Sequence, residues 1–376
     1  MLRLIGVEIM RYLVTGGGTG GHIYPALAIA SEIKNRYKDA DILYVGTKKG
    51  LESELVPKEG FNFKTIRVKG MPRKLNLESI KAMKELLLGL MDANKIINDF
   101  KPDVVIGTGG YVCGPVVYVA SKKKIPTLIH EQNAFPGITN RILSKYVDRV
   151  LVTFEESKKY FSHKEKLFVT GNPVRKEFLN IDKKACRREL GIFDDRLVVM
   201  VFGGSRGAEK LNQTMIDVLK HFAGRTDIHL IHITGEKHYE DVMRLCKKIG
   251  LKSDNVAIHP YVYEMPKFMG ACDLVVCRAG AITLAEVTAM GLPAVLIPSP
   301  YVTNNHQEYN AKVLEKNGAA VVLLEKDLTA SKMIELIHFF MKDRSKLADM
   351  RLKSKELAKT NATDLIYEEL LKLMKE

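Results

Sequence analysis

Short, β-branched apolar runs alternate along the whole chain with helix-length amphipathic stretches, and this alternation limits the fold more than any other feature. The runs fall at Tyr12 to Val14, Asp41 to Val45, Val104 to Ile106 and Thr127 to Ile129. They resume at Leu197 to Phe202, His229 to Ile233, Leu274 to Val276 and Ala294 to Ile297. Strands separated by helices pair in parallel, and such a sheet is covered on both faces. The second half repeats the plan of the first: Gly203 to Gly207 follows its strand as Gly16 to Gly21 follows the first, and Asp273-Leu274-Val275-Val276 echoes Asp103-Val104-Val105-Ile106. A chain of 376 residues exceeds what one core usually serves. The expected fold class is therefore α/β, two Rossmann-like domains in tandem, divided at the Gly171-Asn172-Pro173-Val174 stretch, so that the first spans residues 1–173. Open parallel sheets bind at the carboxyl ends of their strands, which places a ligand in a cleft between the two domains.

Composition removes several classes. Five cysteines (Cys113, Cys186, Cys246, Cys272, Cys277) are an odd set without a CxxC pair, which argues against a disulfide framework or structural zinc and for a reducing compartment. Met1 to Met10 carries Arg3 and Glu8 and lacks the apolar core and cleavage site of a signal peptide. Two uncharged runs, 104–120 and 287–305, are broken by Gly107, Gly109, Gly110 and Pro115 and by Gly291, Pro293, Pro298 and Pro300, so neither reads as a spanning helix. The 58 basic residues outnumber 44 acidic ones, for a net charge of +14. No zinc-finger spacing, RNP-like aromatic motif or Arg-rich arm accompanies that charge, so nucleic acid is not an expected partner. An anionic membrane or a phosphate-bearing substrate remains. Residues 64–95 concentrate the excess: Lys64, Arg67, Lys69, Arg73, Lys74, Lys81, Lys84 and Lys95 oppose Glu78, Glu85 and Asp92, beside Met71, Leu75, Leu77, Ile80, Met83 and Leu86 to Leu90. Basic and apolar side chains together suit an anionic membrane surface; an amphipathic core helix with a wet basic face has the same pattern.

Gly16 to Gly21 matches G-x-G-x-x-G between a strand and a helix expected over Pro25 to Tyr37, where backbone N–H groups can meet a phosphate. A dinucleotide enzyme would also need an acidic residue ending the second strand; this one ends Tyr44-Val45-Gly46-Thr47. No P-loop motif occurs, and Asp39-Ala40-Asp41 precedes its strand and reads as a solvated turn rather than a metal-holding D-x-D. His22 closes the glycine loop. A lone histidine there is more often a cap, yet its place at a helix start beside a glycine loop makes it a candidate general base. Backbone N–H groups of the second glycine loop and of the helix start at Arg278 to Thr283, with Ser205 and Arg206 in that loop and Arg175 after the linker, could neutralise a diphosphate without a metal. Glu286, one turn further, could accept hydrogen bonds from two vicinal hydroxyls. Asn133 and Gln307 are loop amides suited to sugar hydroxyls, although such residues more often form turns.

These blocks together resemble the GT-B peptidoglycan glycosyltransferases of family 28. The resemblance runs over essentially the whole chain from Met10 and rests on six ordered motifs: Gly16 to His22, Gly109 to Val112, His130 to Asn133, Gly171 to Arg175, Gly203 to Ala208 and Cys277 to Ala281. It implies two Rossmann-like domains with sheets facing across a cleft, and transfer of N-acetylglucosamine from UDP-N-acetylglucosamine to lipid I, inverting at the anomeric carbon, on the inner face of the cell membrane. By the same resemblance, His22 is the candidate base, and Thr19, Gly20 and Gly21 line the site beside the pyrophosphates. Asn133 and Gln307 touch the donor sugar, Arg175 and Ser205 the diphosphate, and the backbone of Val262 the uracil. Ala281 to Glu286 supplies the helix start whose Glu holds the ribose. No metal or cofactor is implied. The family's last helix, here 357–376, returns to the N-terminal domain, the acceptor- and membrane-binding one, while 174–356 binds the donor. Arg206 and His306 stand where some members carry Gln, and residues 1–9 extend past the family's usual start, making Met10 a candidate initiator. Two other readings are consistent with the motifs alone, a GT-B transferase with a different lipid or small-molecule acceptor and a nucleotide-sugar sensor; acceptor-dependent UDP release separates them.

Overall fold

The structure, a computed structural model, describes residues 9–70, 77–192 and 195–375. Of the basic and apolar segment, Met71, Arg73 and Lys74 and Leu75 lie outside the described residues, as does most of the N-terminal extension. The chain forms two compact units, Met1–Pro173 with Thr360–Glu376, and Val174–Lys359.

In the first unit the strands are β1 (Arg11–Thr15), β2 (Asp41–Gly46), β3 (Asn62–Thr65), β4 (Val104–Gly107), β5 (Thr127–Glu131), β6 (Arg149–Val152) and β7 (Leu167–Val169). They form one sheet of order β3-β2-β1-β4-β5-β6-β7, in which every pair is parallel. The helices α1 (Gly20–Arg36), α2 (Glu52–Lys58), α3 (Leu77–Phe100), α4 (Cys113–Lys122) and α5 (Ile138–Leu143) connect them. In the second unit β8 (Leu197–Phe202), β9 (Ile228–Ile233), β10 (Val256–His259), β11 (Leu274–Cys277), β12 (Ala294–Leu296) and β13 (Ala320–Val322) follow the order β10-β9-β8-β11-β12-β13. Its helices are α6 (Lys183–Glu189), α7 (Glu209–Phe222), α8 (Glu236–Lys248), α9 (Met265–Gly270), α10 (Ala281–Ala289), α11 (His306–Lys316), α12 (Ala330–Lys342) and α13 (Arg344–Glu356). The two sheets thus share one strand order, with the chain reversing direction across the sheet beside β1 and again beside β8. Both are Rossmann-like.

The central strands explain themselves. Every residue of β8 is buried, as the continuous apolar run Leu-Val-Val-Met-Val-Phe requires of a strand covered on both faces. The first helix corrects the sequence expectation: it begins at Gly20, not Pro25. Thr19 is extended (φ −146°, ψ 155°), and the N–H groups of His22 and Ile23 donate to its carbonyl at 3.0 and 3.2 Å, so Gly20 and Gly21 are already helical and Pro25 falls in the second turn. All five cysteines are buried and free.

After α13 the chain adds α14 (Ala362–Leu373) to the first unit. Its buried face, Ile366, Tyr367, Leu370 and Leu373, joins the core formed by Tyr12, Val14 and the inner face of α1. Arg36 pairs with Asp364, and its guanidinium carbon stands 4.4 Å from the Tyr367 ring centroid. This helix is part of the hydrophobic core rather than an appendage. Leu370→Ala is expected to destabilise the first unit by about 2–5 kcal/mol, measured as an earlier denaturant midpoint for that unit's transition while the second unit's midpoint stays in place.

Candidate active site

The loops after β1 and β4 meet at the carboxyl edge of the first sheet. Gly110 has φ +82°, and a Cβ built there would lie 2.1 Å from the carbonyl oxygen of Gly17, so the two backbones touch only because that side chain is missing. The Gly17 N–H donates to the Gly109 carbonyl at 3.3 Å. The fully buried Glu52 carboxylate ties the glycine loop from below, accepting from the N–H of Gly18 (3.3 Å) and from the N–H and hydroxyl of Thr47 (3.0 and 2.7 Å). Tyr44 donates its hydroxyl to the Gly16 carbonyl at 2.7 Å. What remains at the surface is Thr19, Gly20 and Gly21 at a helix start with no acidic residue in its first turn. Early helical N–H groups have no internal partner, so such a start attracts anions.

His22 stands in that first turn, half-buried. Its Nδ1 lies 3.1 Å from the Thr108 carbonyl and 3.0 Å from Gln132 Oε1, while the Thr108 hydroxyl donates to the His22 carbonyl at 2.7 Å. Two acceptors facing Nδ1 assign the proton there and leave Nε2 with its lone pair, the tautomer a general base needs. Asn133, just past β5, is oriented by Glu131, whose Oε1 accepts from the Asn133 N–H (2.9 Å) and Nδ2 (3.1 Å) and whose Oε2 accepts from the Gly137 N–H and Asn140 Nδ2 at 3.0 and 2.9 Å. Glu131 is wholly buried and carries a full set of donors.

The second unit repeats the arrangement with different side chains. Ser205 and Arg206 are exposed on the loop after β8, which Gly204 (φ +88°) and Gly207 (φ +72°) fold back toward the start of α7. Val262, past β10, is buried between the exposed Tyr261 and Tyr263. Gly280 caps α10, whose first turn also has no acidic residue, so the N–H groups of Ala281, Ile282 and Thr283 point out from a second anion-friendly helix start. Leu284 is buried in the core, and Ala285 is half-buried. Two successive left-handed residues, Asn304 and Asn305 (φ 54° and 52°), turn the chain into α11, and Asn tolerates that conformation better than most residues. They set Gln307 in the first turn, where its Oε1 accepts from the Ser299 N–H at 2.9 Å. A 600 Å³ groove nearby is lined by Lys210, Tyr301, Asn305, Glu308 and Lys326, among others, and by none of the candidate site residues.

Glu286 is a buried carboxylate rather than a surface helix residue. Arg175 donates to its Oε1 from Nε (3.2 Å) and Nη2 (3.0 Å), with the guanidinium carbon 4.6 Å from the Phe178 ring centroid. Burial raises the Glu286 pKa above the usual carboxylate value, and the Arg175 charge opposes that rise. Sequence reasoning missed Glu52, Thr108, Glu131 and Gln132. They are buried polar residues whose role is to hold others, and only their position in otherwise apolar surroundings distinguishes them.

Within each unit the singled-out residues therefore collect at the carboxyl ends of the strands, in loops after β1 and β5 and after β8, β10, β11 and β12, except Arg175, which follows the linker and reaches this set by pairing with Glu286. Residues 12–152 match the Glycosyltransferase family 28 N-terminal domain and residues 198–366 the Glycosyltransferase family 28 C-terminal domain. The chain belongs to glycosyltransferase family 28. It is 53% identical over 367 residues to the UDP-N-acetylglucosamine–N-acetylmuramyl-(pentapeptide) pyrophosphoryl-undecaprenol N-acetylglucosamine transferase of Acetivibrio thermocellus, covering 97% of this chain and 99% of that protein. A Thermoanaerobacter protein of the same name is 54% identical, with 95% and 98% covered. Among solved structures, Acinetobacter baumannii MurG superposes with a TM-score of 0.78 at 30% identity, over 96% of this chain and 99% of that one. The family 28 fold thus accounts for both sheets and for the GT-B architecture.

A carboxylate whose pKa is raised by folding adds stability that is complete below its unfolded pKa and lost as pH rises through the folded one. At neutral pH the ionised Glu286 is therefore a cost to folding. Glu286→Gln is expected to leave the second unit's Tm at pH 7 equal to the parent's or higher by up to about 4 °C. The gain should vanish as pH falls below the ordinary carboxylate range, and a lower Tm at pH 7 in thermal scans would contradict this account.

Proposed function

We infer that the chain transfers N-acetylglucosamine from UDP-N-acetylglucosamine to the C4 hydroxyl of the muramyl residue of lipid I, forming lipid II for peptidoglycan synthesis with inversion at the anomeric carbon. Its near-complete match to relatives named for this transfer supports the substrates, and one local observation carries the mechanism: His22 presents Nε2 with its lone pair while both neighbours of Nδ1 are acceptors. In this mechanism Nε2 takes the proton of the acceptor hydroxyl as its oxygen attacks C1 of the donor sugar, the C1–O bond to the diphosphate breaks, and UDP leaves with the electron pair. The leaving charge is met by N–H groups of the Ser205 loop, by the start of α10 and by Arg175, groups already oriented before the charge develops. Glu286 accepts from the ribose hydroxyls, the backbone of Val262 contacts the uracil, and Gln307 and Asn133 contact the sugar. Thr19, Gly20 and Gly21 face the acceptor pyrophosphate.

The acceptor's polyprenyl chain calls for a place at the membrane, and the first unit has a suitable surface. On α3, Ile80, Met83, Leu87 and Met91 form an exposed stripe at helical spacing, flanked by exposed Lys81, Lys84 and Lys95. The opposite face packs through Ala82, Gly89, Ala93 and Ile97, and a Cβ on Gly89 would meet the Arg67 carbonyl at 2.5 Å. On α5, Ile138 and Ile142 are also exposed. A helix that buries small residues and exposes large apolar ones beside lysines suits an anionic bilayer surface. Among the described residues no helix is long and apolar enough to cross a membrane. The association proposed is peripheral, on the cytoplasmic face of the cell membrane, as the lipid I acceptor calls for.

Two measurements test these assignments. His22→Ala should lower kcat by about 10²–10⁴-fold, with KM for UDP-N-acetylglucosamine changed by less than about twofold, in assays with a short-chain lipid I analogue; unchanged turnover would remove His22 from the role. Leu87→Glu combined with Lys84→Glu should weaken sedimentation with vesicles containing anionic phospholipid by about tenfold or more. Equal binding by parent and variant would reject the α3 surface.

A further inference from the structure

We propose that Gln132 is a positioning residue, locked by His130, that holds His22 in the Nδ1–H tautomer and so keeps Nε2 free for the substrate proton. The inference rests on the reading of His22 as base and extends it to residues that touch no substrate.

The argument runs from one carbonyl outward. His130 is completely buried, and its Nε2 lies 2.8 Å from the Gly171 carbonyl, which can only accept, so Nε2 carries the proton. Burial also holds the His130 pKa below the usual histidine value, which keeps the ring neutral. Its Nδ1 is then a bare acceptor. Gln132 stands 3.0 Å from that Nδ1 through Nε2, which is also 2.9 Å from the Thr108 carbonyl and 3.1 Å from the His130 carbonyl. Three acceptors around one end of the amide determine its orientation, since the opposite flip would point an oxygen at all of them. The remaining end, Oε1, faces His22 Nδ1 at 3.0 Å. The hydrogen bonds therefore run in one direction, from His22 Nδ1–H to Gln132 and from Gln132 to His130 and on to Gly171.

The chemistry of the partner matters as much as its direction. Where a carboxylate backs a catalytic histidine it stabilises the imidazolium that forms. Here the partner is a neutral amide, 1% exposed, which selects the tautomer without adding charge. Gly109 completes the seat: a Cβ there would lie 2.8 Å from His22 Nδ1, so any other residue would push the ring off its two acceptors.

The deciding measurement is the ¹⁵N spectrum of histidine-labelled full-length protein, with His22 assigned by its loss in His22→Ala. The parent should show a protonated Nδ1 and an unprotonated Nε2. Gln132→Leu should raise the Nε2–H population and lower kcat about tenfold or more, with KM for UDP-N-acetylglucosamine within about twofold, because the Thr108 carbonyl alone still holds part of the ring population. Gln132→Glu loses the same donor bonds to His130 and Thr108 but keeps an acceptor opposite His22. It should retain the Nδ1–H tautomer that Gln132→Leu loses, whereas a merely structural role would leave the two variants with the same tautomer. An Nε2–H tautomer in the parent, or Gln132→Leu with parental tautomer and kcat, overturns the proposal. If His22→Ala keeps full turnover while the parent shows Nδ1–H, the base assignment falls and the tautomer control stands. If His22→Ala is inactive while the parent shows Nε2–H, the relay falls alone.

Discussion

Two backbones in direct contact, at Gly17 and Gly110, set the geometry of the first unit's site. The loops that leave β1 and β4 depart from adjacent strands, and the approach of Gly110 to the Gly17 carbonyl leaves no room for a side chain between them. That contact places Thr108 under the first turn of α1, brings its carbonyl and hydroxyl to the two ends of His22, and leaves the early N–H groups of α1 facing outward. Glu52 and Tyr44 brace the same loop from the core side. Rigid support of this kind is what lets a short loop hold a side chain accurately enough for proton transfer.

Both units keep ionised or polar groups in places where burial works against them. Glu131 is wholly buried and is compensated by four donors from Asn133, Gly137 and Asn140. Glu286 has one guanidinium partner, and its pKa rises. The difference separates a carboxylate whose acceptor capacity is used up in organising a loop from one that keeps part of it free, because a fully satisfied carboxylate has nothing left to offer. In the second unit the donors left without an internal partner are backbone N–H groups at the start of α10, which follows β11, and the Ser205 loop that follows β8 is exposed.

The fold was largely legible because its signal is repetitive. Central strands such as β1, β4, β8 and β11 are continuous apolar runs, since both their faces are covered. The strands missed were β3, β6, β7, β10 and β13. They are edge or near-edge strands of three or four residues, and in β3 the sequence Asn-Phe-Lys-Thr is mostly exposed, so hydrophobic pattern carries little information there. The helix expected over Pro25 to Tyr37 starts five residues earlier, because the extended Thr19 opens it and Gly20 and Gly21, poor helix formers that give no helical signal in sequence, form its first turn.

Candidate site residues were readable where chemistry sits in a short motif: a histidine ending a glycine loop, an amide after a strand, a Glu one turn into a helix. The amino-acid order alone determined the two parallel sheets, the glycine loops that follow their first strands, and the family 28 motifs, because each depends on local pattern or close spacing. Only the tertiary structure decided which nitrogen of His22 is bare, that Arg175 and Glu286 are paired, and that α3 turns its large apolar residues outward. Those properties come from groups far apart in the chain, such as residues 22, 108, 130, 132 and 171, meeting at hydrogen-bond distance, and spacing along a sequence carries no information about that.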